Sequence, residues 1–238
     1  MKKILSLLMA SVLLLAPAFS LANAQTNSTS TDDTVLYSAE EITDVDALIQ
    51  RSLAGINDLQ ENTGFEFTIS SSTETPLAFS AYSANVQSGE IYVTSQLLRS
   101  ELVNGEQIDT YAVKAVRAIL PYNTSETAGA LVSTMYINYD EGKSSIILVR
   151  TVAMIRAAGA TRLVMTNGYQ EAPQNDRITT SSSYANPGAG TYNLYPNSSV
   201  WVSDNGTLYL RNSLYYGSSL YKTEFIMNRY LQTFKVNY

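Results

Sequence analysis

The chain has 238 residues, 21 of them acidic and 15 basic, with no histidine and no cysteine. Those two absences exclude histidine-based triads and general acid–base work, imidazole or thiolate metal sites, thiol redox chemistry and any disulfide framework. A net charge of −6 with no basic cluster argues against nucleic-acid binding, while 45% hydrophobic residues suffice for a sizeable core.

Charge is uneven along the chain. Residues 25–109 carry 14 acids and 2 bases, and residues 110–238 carry 7 acids and 11 bases. The simplest consequence is that the two halves attract one another on folding. The alternative is that the basic half faces an anionic partner such as an envelope polymer or a lipid surface.

Lys2 and Lys3 precede an almost wholly apolar run over 4–15, and Ala22-Asn23-Ala24 follows as a small-x-small site. That order describes a secretory signal peptide over 1–24, cleaved after Ala24, and predicts an exported protein: periplasmic, cell-surface or secreted. Residues 25–37 begin with the polar tract QTNSTSTDDT and read as a flexible leader. Residues 38–238 read as a single globular α+β domain, with a loop at 170–190 as the one place where it could divide.

Ser38-Ala39-Glu40-Glu41 has the spacing of a capping box. Val45, Leu48, Ile49, Leu53, Ile56 and Leu59 then recur at helical spacing as far as Asn62-Thr63-Gly64, predicting an amphipathic helix. Phe65, Phe67 and Ile69 alternate with polar residues and predict a strand, and 77–86 and 91–95 predict two more. Ala112, Val113, Val116, Ile119 and Leu120 form one stripe, and Ala128, Leu131, Val132, Met135 and Tyr136 another; both predict helices.

The most apolar internal stretch, 143–168, contains Arg150 and Arg156. A membrane span needs roughly 20 predominantly apolar residues and tolerates a central charge poorly, so this is a core element and no transmembrane helix is expected beyond the signal. It predicts a helix over 145–158 stopped at Gly159, a strand over 161–166, and a turn at Asn167-Gly168.

Residues 170–190 are rich in Ser, Thr, Asn, Gly and Pro and read as a surface loop. Beyond them the chain turns aromatic: 9 of the 17 tyrosines and the single Trp lie at or after Tyr184. Asp204-Asn205-Gly206 predicts a hairpin in which Trp201 faces Leu210 and Val202 faces Tyr209. Residues 221–234 predict a closing helix. The fold class expected is therefore α+β, helix-rich in its N-terminal and central part with a short antiparallel sheet, and with a Tyr-rich β-hairpin region towards the C-terminus.

Few motifs carry chemistry. Ser219-Leu220-Tyr221-Lys222 and Ser203-Asp204-Asn205 match the S-x-x-K and S-D-N signatures of serine β-lactamases and penicillin-binding proteins, but in reversed order and without K-T-G. Asp32-Asp33, Glu40-Glu41, Asp44 with Asp46, and Asp140-Glu141 sit at expected helix starts and turns, where capping explains them. A two-carboxylate hydrolase would need one pair roughly 5–10 Å apart across a cleft. Tyr230, Gln232, Phe234, Val236 and Tyr238 alternate in a way that resembles the closing strand of an outer-membrane barrel.

The candidate ligand-binding set is Tyr192, Tyr195, Trp201, Tyr209, Tyr215 and Tyr216 with Arg211 and Lys222, because rings with polar edges suit sugars and polymeric surfaces. The function expected is an exported, non-enzymatic binding module for a surface glycan or protein partner, with no cofactor or metal. A hydrolase using carboxylates or a Ser–Lys pair, and an outer-membrane-associated protein, are the alternatives.

Overall fold

The computed structural model describes residues 33–70, 85–86, 91–119, 129–143, 145–171, 177–202, 206–229 and 231–238. Among them the chain begins with β1 (Thr34–Ser38), α1 (Val45–Leu53), α2 (Asp58–Thr63), β2 (Glu66–Ser70) and β3 (Asn85–Val86). Five long strands follow: β4 (Ile91–Val103), β5 (Glu106–Ile119), β6 (Gly129–Asp140), β7 (Ser145–Ile155) and β8 (Arg162–Glu171). The remainder is β9 (Arg177–Ala185), β10 (Gly190–Leu194), β11 (Gly206–Tyr216), β12 (Ser219–Asn228) and β13 (Thr233–Asn237).

The strands make two sheets. The first runs β1-β4-β5-β6-β7-β10, and the second β2-β13-β12-β11-β8-β9. The short β3 takes the stretch of β12 at Ser219 and Leu220 that β13 leaves open. Their inner faces share one apolar cluster: Tyr111, Val113, Met135, Ile137 and Leu148 from the first sheet meet Leu208, Leu210, Phe225, Met227, Phe234 and Val236 from the second.

This overturns the α+β, helix-rich expectation. Where described, the stripes from Ala112 to Ile119 and from Leu131 to Tyr136 and the predicted helix over 145–158 fall in β5, β6 and β7, and the predicted closing helix falls in β12 and β13. The physical reason is burial on both faces. In β5, Tyr111, Val113 and Ala115 point between the sheets, while Ala112 and Val116 are buried on the outer face beneath α1 and its flanking segment. A strand covered on both sides loses its period-2 alternation, and chance spacings then mimic a helical stripe.

Other expectations are corrected or refined. The amphipathic run is two helices, separated where Gly55 adopts φ 71°. Asp44 caps α1, accepting from Ala47 N at 2.8 Å. Thr34–Ser38, at the end of the expected leader, is β1. Within the expected loop at 170–190, Arg177–Ala185 is the edge strand β9. Asn167-Gly168 lies inside β8 and makes no turn.

The hairpin through Asp204-Asn205-Gly206 does not form in the expected register. β11 has β8 on one side and β12 on the other, so it has no free edge for the 200–202 segment, and Val202 pairs instead with Ile146. Ser203, Asp204 and Asn205 lie outside the described residues. A tight Asn-Gly hairpin does occur, at Asn104-Gly105 between β4 and β5, with φ 53° and 82°. Positive φ at both central positions is what this turn type demands.

Phe234 and Val236, from the C-terminal alternation, are fully buried between the sheets. No helix among the described residues is long and apolar enough to cross a membrane. The most unusual core residue is Arg117, fully buried on β5. Its guanidinium donates to the Lys222 carbonyl and lies 5.6 Å from the ring centroid of Tyr221 and 5.7 Å from that of Tyr238. Burial pushes it down to about 10, opposed by the two phenols.

Candidate functional site

The eight residues expected to form a ligand surface fall into three places. Tyr209, Arg211, Tyr215 and Lys222 share the outer face of the second sheet. Tyr209 is buried, with its hydroxyl on Thr179 Oγ1 and the Ile178 carbonyl. Arg211 donates to Glu224 Oε1 at 3.0 and 2.6 Å, and Lys222 Nζ lies 3.8 Å from Glu224 Oε2. Arg162 lies over Tyr215, 5.8 Å from its centroid. Tyr192 and Tyr216 turn the other way, against the inter-sheet cluster around Leu163 and Leu214. Tyr195 and Trp201 are exposed on the connection after β10.

Ser219 and Lys222, the ends of the S-x-x-K match, are three residues apart on one strand and so point to opposite faces. They cannot act as a dyad. Of the acidic pairs, Asp44 is a helix cap and Asp140 accepts from Lys143 N at 3.0 Å.

The outer face of the first sheet brings together a group that sequence spacing does not reveal. Lys114, Thr134, Val152 and Asn193 stand directly opposite one another across β5, β6, β7 and β10. One row away, Tyr136 faces Arg150. A bulge in β7 makes this second row possible: Leu148 pairs with Ile137 but Arg150 pairs with Tyr136, leaving Val149 as the extra residue. Bulges commonly re-aim side chains in this way.

The segment from Ala39 to Asp44 crosses above these rows. Ala39 N donates to the Leu98 carbonyl at 2.9 Å. Gln96 clamps the backbone, accepting from Ile42 N at 2.9 Å and donating to the Glu40 carbonyl at 2.8 Å. Glu41 is thereby held over Lys114, whose Nζ lies 2.6 Å from its Oε1 and also donates to the Ile42 carbonyl. Tyr136 donates its hydroxyl to the same Glu41 oxygen at 2.5 Å. The Arg150 guanidinium lies on the Tyr136 ring, 4.1 Å from its centroid, and donates to Asn193 Oδ1 at 3.4 Å.

Between these groups is a cavity of about 210 Å³, walled by Lys114, Thr134, Tyr136, Arg150, Thr191 and Asn193 and floored by Val132, Val152 and Met154. Burial lowers the Lys114 ammonium below its ordinary range, opposed by Glu41 and assisted by Arg150. The Tyr136 phenol is held well above its ordinary range, first by burial, then by its bond to Glu41 and that carboxylate's charge, with Arg150 opposing. Two cations and one carboxylate leave the site one positive charge. Lys114 and Tyr136 both bond Glu41, whereas Arg150 makes no bond to that carboxylate among the described contacts and engages Tyr136 and Asn193.

Among the described residues no group of three or more His, Cys, Asp or Glu side chains could hold a metal ion. The sequence matches no protein-family model, and neither a curated protein nor a solved structure matches it.

Proposed function

We propose that the protein is an exported, non-enzymatic binding module of the cell envelope that recognises a surface glycan by holding an acidic group at Arg150. The observation that carries this reading is the Arg150 guanidinium. It lies over the Tyr136 ring and interacts with its hydroxyl, has a long bond to Asn193, and lines a small cavity that also presents threonine hydroxyls. An arginine so pre-oriented offers its fork to a carboxylate, the geometry in which charge-assisted bonds are strongest.

At about 210 Å³ the cavity is smaller than the roughly 300–1,000 Å³ of a drug-sized ligand, which suits one terminal group of a larger chain, such as a uronate. The N-terminal order of basic, apolar and small residues supports export. Chemistry is disfavoured by the states of the two reactive side chains. A phenol raised above its ordinary range stays protonated near neutral pH, and a lysine committed to a carboxylate is a poor base.

The test compares binding of the purified protein to a uronate-containing polysaccharide and to the same polymer with its carboxyl groups reduced. The acidic form should bind at least about tenfold more tightly, since a charge-assisted bond contributes roughly 1.5–3 kcal/mol. Arg150→Gln should abolish the difference while the fold persists. Equal binding of the two polymers, or an Arg150→Gln protein that still discriminates between them, would remove the reading.

A further inference from the structure

A second cavity, of about 430 Å³, opens at the far end of the first sheet and on its inner side, beneath α2. Its chemistry is the opposite of the first. Tyr37, Ser100, Asp109 and Tyr139 stand directly opposite one another across β1, β4, β5 and β6, so one row of the sheet presents a carboxylate and a hydroxyl between two aromatic rings. Two bulges converge there. The register shifts between Val35 and Tyr37 in β1 and between Leu97 and Arg99 in β4.

The carboxylate and the two amides at this cavity keep acceptor capacity. Asp109 is buried; its Oδ1 accepts from Gln107 Nε2 at 3.1 Å and its Oδ2 from the Tyr111 hydroxyl at 3.3 Å. Asn62 donates to that hydroxyl at 3.2 Å. The Asn62 and Gln107 amides thus turn their nitrogens to the protein and leave Oδ1 and Oε1 as acceptors. Glu141 adds a second carboxylate at the rim, and no Lys or Arg is among the lining residues.

Ser100 is 4% exposed, lines the cavity, and its Oγ has no hydrogen-bond partner. A buried hydroxyl left without a partner costs stability, so its presence at a ring of acceptors is an observation separate from the carboxylates and calls for a ligand group.

We infer that this cavity binds a primary ammonium group, with Asp109 and Glu141 as counter-charges, Ser100 Oγ and the amide oxygens as acceptors, and Tyr37 and Tyr139 as aromatic walls. An ammonium has three donors and no acceptor, which suits carboxylates, amide oxygens and hydroxyls that can all accept, and aromatic faces attract it further. Two sources offer that group in the same chemistry, an amino sugar and a linear diamine. This site is independent of Arg150 and takes the opposite charge.

The experiment is calorimetric titration of the purified protein with glucosamine against N-acetylglucosamine, and with cadaverine against its N,N′-diacetylated form. At least one free amine should bind, and acetylation should weaken it at least about tenfold. The amine that binds identifies the source. Asp109→Asn should lower affinity about tenfold or more. Because Asp109 is buried, Glu141→Gln combined with Ser100→Ala serves as a second variant with an intact core, and it should weaken binding several-fold. Acetylated amines binding as well as free ones, no binding of either amine at millimolar concentration, or a double variant with unchanged affinity would each overturn the inference.

Discussion

Gly168→Ala is the sharpest test of the second sheet. Gly168 faces Thr179 across the β8–β9 ladder, and the Tyr209 ring from β11 lies over it. A Cβ built there would overlap the Ile178 carbonyl oxygen and come within 2.6 Å of the Tyr209 hydroxyl. Ordinary C···O contacts begin near about 3.3 Å. Relief requires the β8–β9 pair to open or Tyr209 to leave, and Tyr209 is tied to Ile178 O and Thr179.

Losing two or three such bonds costs roughly 1 kcal/mol each, against about 0.5–1 kcal/mol recovered by replacing glycine in a strand. The net loss is about 2 kcal/mol, which for a chain of this size lowers Tm by about 4–8 °C. Thermal unfolding followed by circular dichroism reads it directly. Gly190→Ala is the control, since a Cβ there meets nothing within 4 Å, and it should melt within a degree or two of the parent. A Gly168→Ala protein that melts with the control would show that Tyr209 does not close over the glycine.

Asp44→Ala should cost about 1 kcal/mol by removing the cap on Ala47 N, read as a lower denaturant midpoint at constant m; an unchanged midpoint would mean the cap contributes nothing. Alkaline titration tests the two buried phenols. Tyr111 and Tyr136 are both raised from 10.0, chiefly by burial, so above pH 10 the unfolded chain releases protons that the folded chain keeps. The folded state therefore loses stability as pH rises past 10, and Tyr111→Phe and Tyr136→Phe should each shrink that loss. Tyrosinate absorbance should show both phenols ionising only as the protein unfolds, and normal titration in the folded protein would contradict their burial.

What the sequence disclosed depended on how many sides of each element are covered. α1 has one buried face, and its stripe of Val45, Leu48 and Ile49 was legible. So was β2, where Phe65, Phe67 and Ile69 alternate at a sheet edge. β5, β6 and β7 are covered on both faces, and their apolar positions carry no period; only their richness in Val, Ile, Thr and Tyr signalled strands. Both cavities were invisible for a different reason. Lys114, Tyr136 and Arg150 come from three strands, as do Ser100, Asp109 and Tyr139, and only strand register aligns them. The available signal was one isolated charge in each of two apolar runs, Lys114 in YAVKAV and Arg150 in IILVRTV.

The pairing of β2 with β13 has a consequence for when the protein can fold. β2 is an edge strand whose one neighbour is the last strand of the chain, and the Ser70–Asn237 bond spans 167 residues. Phe67, which stacks on Phe234 with centroids 4.8 Å apart, therefore lacks its aromatic partner until β13 has been made. Closure over so long a loop is entropically unfavourable and slow. β2 thus stays unpaired until β13 has been made, whereas β1, α1 and α2 find their partners on β4 and β5 much earlier in the chain.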